Sequence, residues 1–221
     1  MKLLVEALTK FTCGLILVGL LIFLPAGTLQ YAYGWCFMAL LFVPMLAAGF
    51  LMLFKAPAFL KKRLDVKEKQ DTQKGVVAVS GLMFIAGFVV AGLDFLFGWS
   101  CVPVWVVIIA SVLFLVAYAL YAEVMRENAY LSRTIRVEEG QTVVDTGLYG
   151  IVRHPMYAVT ILLFLMIPLI LGSWYALIVF AFYPMIIVVR LKDEEALLAR
   201  ELPGYAAYMQ KVKYRIIPSV W

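Results

Sequence analysis

The stretch that decides the fold is residues 154–189, HPMYAVTILLFLMIPLILGSWYALIVFAFYPMIIVV, 36 positions without one Asp, Glu, Lys or Arg. Arg153 precedes it, and Arg190-Leu-Lys-Asp-Glu-Glu195 follows. A membrane-spanning helix needs about 20 apolar residues, so this run is too long for one span and barely enough for two. Pro168 and Gly172-Ser173 near its middle are turn signals. The reading is a tight helical hairpin with arms at 155–170 and 173–190. At about 1.5 Å per residue the first arm is only about 24 Å long. The arms run antiparallel, so Arg153-His154 and Arg190 through Glu195 return to the same face.

Working outward, residues 11–54, 75–93 and 95–122 are also free of charge, and 65% of the 221 residues are hydrophobic against 15% charged. Soluble domains run near about 45–50% apolar and about 25% charged. The expected fold class is therefore all-α: a polytopic membrane protein with about six transmembrane helices, the last two the hairpin. The first four fall near 11–29, 34–54, 76–96 and 102–122. This excludes a soluble globule, a disordered chain and a secreted disulfide scaffold. Lys2 and Lys10 ahead of the first run resemble a signal peptide, but Pro25-Ala26-Gly27 is a poor cleavage site, so the segment reads as a retained span. Cys13, Cys36 and Cys101 form no CxxC pair and have no histidine nearby, so they read as packing residues and no metal is expected.

Charge then sets orientation. Segments 1–10, 55–74, 123–153 and 190–221 carry 2, 7, 4 and 6 basic residues, which is all 19 in the chain. The opposite connections near 25–33, 97–101 and 168–173 carry none. By the positive-inside rule both termini and every charged segment are cytoplasmic, which requires an even number of spans. The net charge of +5 is thus a membrane signature rather than one for nucleic acid, since no basic run interleaves with aromatics on a polar surface. Residues 58–74, with Lys61, Lys62, Arg63, Lys67, Lys69 and Lys74, read as lying along the cytoplasmic surface, either as a stop-transfer flank or in contact with anionic lipid. The expected division is a two-span extension at 1–54, a basic cytoplasmic linker at 55–74 and a core at 75–221. Within the core lie a polar loop at 126–157 and a C-terminal segment at 190–221.

Polarity concentrates in that loop. It holds Asn128, Arg133, Thr134, Arg136, Glu138, Glu139, Gln141, Thr142 and Asp145, punctuated by Gly140, Gly147 and Gly150. A connection this long without helical periodicity is functional or disordered, and its motif-like ending argues for function. Pro155 suits the first turn of a helix. Arg153, His154 (the sole histidine) and the helix N-terminus then converge where a carboxylate or phosphate would bind. The plainer alternative is an interfacial cap with a snorkelling arginine. Arg190 and Glu194 are four apart on one helical face, either an ordinary i,i+4 ion pair or part of a site that the hairpin assembles. Carboxylates at Glu194 and Glu195, cations opposite, and the aromatic faces of Tyr149 and Tyr157 suit a zwitterionic ligand with a cationic or flat portion. An amino-acid-bearing nucleotide such as S-adenosylmethionine fits that description. A Rossmann fingerprint and a P-loop are both absent from the sequence.

The segment QTVVDTGLYGIVRHPMY at 141–157, the run from Arg190 to Glu194-Glu195, and then Tyr205, Tyr208 and Ile217-Pro218 together resemble the core of isoprenylcysteine carboxyl methyltransferases. The HPxY and Glu-Glu elements are shared with phospholipid methyltransferases. The resemblance implies an integral membrane enzyme that takes S-adenosylmethionine from the cytosol and a lipidic or prenylated acceptor from the bilayer, in a bacterial inner membrane or the endoplasmic reticulum. It implies cofactor contacts at Gln141, Thr142, Val143, Val144, Tyr149, His154, Pro155, Met156, Tyr157 and Glu194, with another at Thr134. Arg190 matches the position that orients the acceptor's carboxylate. For an amine acceptor, as in a phospholipid N-methyltransferase, Glu195 is the expected proton acceptor. Gln141 stands where the family usually has histidine, and residues 11–54 lie outside the matching core. Two rivals of other classes are an NADPH-dependent sterol reductase, with similar HPxY-like and terminal Ile-Pro patterns, and a non-catalytic lipid-binding protein.

Overall fold

The computed structural model describes residues 2–64, 71–131 and 137–221, and among them it is all-helical. Thr134, Arg133, Arg136, Lys67 and Lys69 lie outside the described residues. In chain order the helices are α1 (Lys2–Ala26), α2 (Ala32–Lys55), α3 (Pro57–Leu64), α4 (Asp71–Phe97) and α5 (Val104–Glu127). A 3₁₀ turn at Gly147–Gly150 follows, then α6 (Pro155–Ile170), α7 (Trp174–Phe180), α8 (Tyr183–Glu201) and α9 (Tyr205–Lys211).

Among the described residues five courses are long and apolar enough to cross a membrane: α1, α2, α4 from Gln73, α5, and the course Trp174–Glu201 formed by α7 and α8. The sequence reading expects six. The difference is α6, which is apolar throughout but has only 16 residues. Five such courses make the chain an integral, multi-pass membrane protein. Exposed side chains such as Leu24, Phe54, Trp105 and Met185 lie on outward faces, as lipid contact requires. The helices also overrun the uncharged stretches. α1 begins nine residues before Phe11 because Lys10 reaches back to Glu6 at 2.6 Å and across to the Leu64 carbonyl at 2.7 Å. Long charged side chains extend a helix past the apolar zone in this way.

The hairpin turns at Gly172, whose φ of +73° favours a residue without a side chain. Ser173 then caps α7, its hydroxyl accepting from Ala176 N at 3.0 Å. The second arm, expected as one helix over 173–190, is broken at Ala181-Phe182. Pro184, in the first turn of α8, has no N–H to donate to the Phe180 carbonyl, and its ring crowds that carbonyl. The break leaves Phe180 fully buried under Gly87 of α4, where a Cβ would lie 2.4 Å from the ring. Around it Phe84, Phe88, Phe164 and Tyr183 interlock, mostly edge to face. α6 packs along α5, and α4 lies between α1 and α7.

The far end of the bundle is pinned by Asp94, an acid only 2% exposed at the last turn of α4. It accepts from Ser100 N at 2.8 Å and from the hydroxyls of Ser100 and Ser173. Tyr31, stacked on Phe95, donates to the Leu171 carbonyl beside it. One carboxylate thus fixes the α4–α5 connection to the tip of the hairpin. Truncation leaves three donors, one buried and two half-buried, without their acceptor. Asp94→Ala is expected to lower stability by about 2–3 kcal/mol, measured as an earlier unfolding midpoint in detergent, while wild-type stability would show the node to be dispensable.

Candidate active site

The opposite pole is built where α6 begins and α8 ends. Arg153 and His154 pair by backbone with the C-terminal segment, donating to the Tyr214 and Arg215 carbonyls at 2.9 and 2.8 Å. Arg153 is 7% exposed, and its guanidinium points inward. Nε donates to Glu195 Oε1 at 2.7 Å, and Nη1 donates to the Val212 and Lys213 carbonyls at 2.9 and 3.1 Å. His154 Nε2 lies 3.2 Å from the same Glu195 oxygen, and Arg215 Nε donates to Oε2 at 2.9 Å. The sequence reading placed an external anion beside Arg153 and His154. In the fold the side chain of Glu195, brought in by the hairpin, meets both groups, and both also line the cavity. Glu195 is 5% exposed and does not line the neighbouring cavity.

One helical position earlier the geometry differs. Glu194 and Arg190 both line a cavity, and the Tyr157 hydroxyl stands between them, donating to Glu194 Oε2 and accepting from Arg190 Nε at 3.1 Å. A cation and an acid of α8 are thereby held either side of one hydroxyl from the antiparallel α6. His154 stacks on the Tyr157 ring at 5.6 Å between centroids. Met156 lines the same wall, whereas Pro155, the first residue of α6, is buried outside it.

The polar loop supplies the facing wall. Gln141, Thr142, Val143 and Val144 line the cavity, with Tyr149 from the 3₁₀ turn. That turn depends on Gly147, whose φ is +53° and where a Cβ would meet Glu127 Oε1 at 1.6 Å. Glu127 instead accepts from Leu148 N at 2.9 Å. Tyr149 accepts from Asn128 Nδ2 at 3.0 Å, and its carbonyl accepts from the Tyr208 hydroxyl at 2.7 Å. Burial pushes the pKa of both phenols up, so each stays protonated at neutral pH. Lys62 of α3 pairs with Glu138 at the start of the loop, tying it to the basic helix.

Leu198 and Leu202 of α8 with Tyr205 and Tyr208 of α9 close the cavity. Its empty space, open mouth included, is about 820 Å³. Asn128, Tyr130 and the α9 tyrosines are lining residues that sequence reasoning did not assign to the site. Tyr205 and Tyr208 carried a signal, since they belong to the motif, but no spacing rule assigns them a role. Arg215 carried none. No group of His, Cys, Asp and Glu suited to a metal occurs among the described residues.

Residues 102–200 match the sequence model of the isoprenylcysteine carboxyl methyltransferase (ICMT) family. The match runs from before α5 to within α8, less than half of the chain, and it contains every residue that the sequence reading expected at the site. No curated protein matches the chain.

Removing one partner from a buried ionic cluster leaves the others uncompensated, at a cost of about 3–5 kcal/mol. Glu195→Ala is accordingly expected to release the segment after Lys211, read as rapid tryptic cleavage at Lys213 and Arg215. Unchanged protection would separate that segment's order from Glu195.

Proposed function

We propose that the chain is an S-adenosylmethionine-dependent membrane methyltransferase that esterifies the carboxylate of a lipidic acceptor, of the prenylcysteine kind. The observation that carries this reading is the Arg190–Tyr157–Glu194 arrangement in the cavity wall, inside the region matched to the family.

The residues present fit the cofactor. The cavity has an acid at Glu194, aromatic faces at Tyr149 and Tyr157, apolar walls from Val143, Val144 and Leu198, and one buried hydroxyl, on Tyr205, without a partner among the described residues. When bound, S-adenosylmethionine supplies a methyl group on a positively charged sulfur. Glu194 pairs the ligand's ammonium, and Gln141, Thr142, Val143, Val144, His154 and Met156 surround the remainder, with Pro155 starting the helix behind them. Arg190 aims an acceptor carboxylate. That nucleophile is already ionised at neutral pH, so the protein's contribution is placement, with reacting atoms about 3–3.5 Å apart in a site shielded from water. The amine reading needs a proton acceptor at Glu195. Its oxygens already accept from Arg153, His154 and Arg215, which favours the carboxylate acceptor and makes Glu195 a positioning residue.

We further read α6 as a sixth, short span, with both termini and the site at the cytoplasmic face. At about 24 Å against a hydrocarbon core of about 30 Å, α6 draws the cavity mouth to a depth where a lipid-borne group arrives from the side. Residues 75–221 form the catalytic core in this reading, 1–54 an extension braced on α4 and 55–74 a basic linker.

Glu194→Ala is expected to weaken S-adenosylmethionine binding by about 30–100-fold in calorimetry, and unchanged affinity would count against the ammonium contact. Arg190→Ala should lower turnover of a carboxylate acceptor by about 100-fold or more with cofactor affinity retained; parallel loss of both would remove its role toward the acceptor. Membranes incubated with methyl-labelled cofactor should yield base-labile label. Base-stable label would indicate an N-methyl product, and NADPH binding in its place would indicate a reductase.

A further inference from the structure

Three buried side-chain polar atoms lack a hydrogen-bond partner among the described residues: Arg63 Nη1, Gln73 Oε1 and the Tyr205 hydroxyl. Only Tyr205 lines the candidate cavity. It is 4% exposed, and its ring is wedged in a cluster with Leu202, Tyr208 and Val212, against Val143 of the facing loop. The residue before it, Gly204, takes φ +85°, which starts α9 against that loop. A ring packed in this way cannot swing out to water, so its hydroxyl stays where the fold sets it. Buried hydroxyls are nearly always paired, and one left open in a cavity wall is satisfied by what the cavity binds. The neighbouring Tyr208 makes the contrast, since its hydroxyl is spent on the Tyr149 carbonyl at 2.7 Å.

The surroundings say which partner fits. Burial, then the fields of Glu195 and Glu194, push the Tyr205 pKa up against a smaller opposing effect of Arg153, so the group is a neutral hydroxyl near both glutamates. A hydroxyl beside carboxylates meets a donor-rich, positively charged group best. We infer that the Tyr205 hydroxyl is a ligand-binding group that accepts a hydrogen bond from the ammonium of an amino-acid-bearing ligand held next to Glu194. This rests on the function proposed above and extends it to a residue outside the matched region.

The test uses two probes on the full-length protein in detergent: S-adenosylhomocysteine, and methylthioadenosine, which carries the same nucleoside without the amino-acid portion. Tyr205→Phe keeps the ring and its packing. The expected result is about a tenfold rise in the Kd of S-adenosylhomocysteine, no change for methylthioadenosine, and an unfolding midpoint equal to or above wild type. Equal S-adenosylhomocysteine affinity in wild type and Tyr205→Phe would overturn the inference alone. Equal losses for both probes would move the contact to the nucleoside and also overturn it. Failure of the wild-type protein to bind S-adenosylhomocysteine would overturn the inference together with the function on which it rests. Tyr208→Phe serves as the structural control, expected to lower the midpoint without separating the two probes.

Discussion

Glu195 is the constraint on which the functional end of the molecule depends. Its two oxygens receive the guanidinium of Arg153 from the start of α6, the imidazole of His154 and the guanidinium of Arg215 from the C-terminal segment. A carboxylate this buried is costly to desolvate and is tolerated only when every lone pair finds a donor. Satisfying it forces three separate parts of the chain into one place. The Arg153 guanidinium extends the same logic by donating to the Val212 and Lys213 carbonyls, which leaves the tail no freedom to leave the hairpin. The cavity is what remains between this tied base and the loop in front of it.

Two adjacent glutamates therefore take different work because a helix turns about 100° per residue. Glu195 faces inward and organises, while Glu194 faces the cavity and meets Tyr157. The Tyr157 hydroxyl keeps Arg190 and Glu194 at a set separation, so a cation and an acid stand side by side without neutralising each other completely. In the function proposed above, that arrangement serves two ligands of opposite local charge, one from water and one from the bilayer.

The other pole shows the same economy in apolar surroundings. Asp94 collects Ser100 and Ser173, and Ser173 in turn accepts from Ala176 N. With one end of the hairpin fixed by Asp94 and the other by Glu195, the 16 residues of α6 are held at both termini. Phe180 packed under Gly87 locks the second arm between them.

Much of this was legible in the order of residues. Uncharged runs long enough for a bilayer, broken by Gly172 and Pro168, define a hairpin because backbone groups in lipid must be satisfied within helices. The fall of every basic residue into four of the segments gives the expected orientation for an equally local reason. The RHPMY motif and the run from Arg190 to Glu195 also mark the site as neighbours in sequence. The break before Pro184 was not read, because a continuous apolar stretch hides it. What the order of residues could not show is which group answers which. Asp94 interrupts a long apolar run and reads as a lone acid, since Ser173 lies 79 positions away. Arg215 lies 20 positions beyond Glu195 in a segment with no period. The Tyr205 hydroxyl becomes notable only when packing leaves it without a partner. Sequence by itself determined the all-helical, multi-pass membrane class and the chemical types at the candidate site, because these follow from local hydrophobicity and spacing. Only the tertiary structure decided that Glu195 organises while Glu194 faces the cavity, because that depends on side chains distant in sequence competing for the same few buried acceptors.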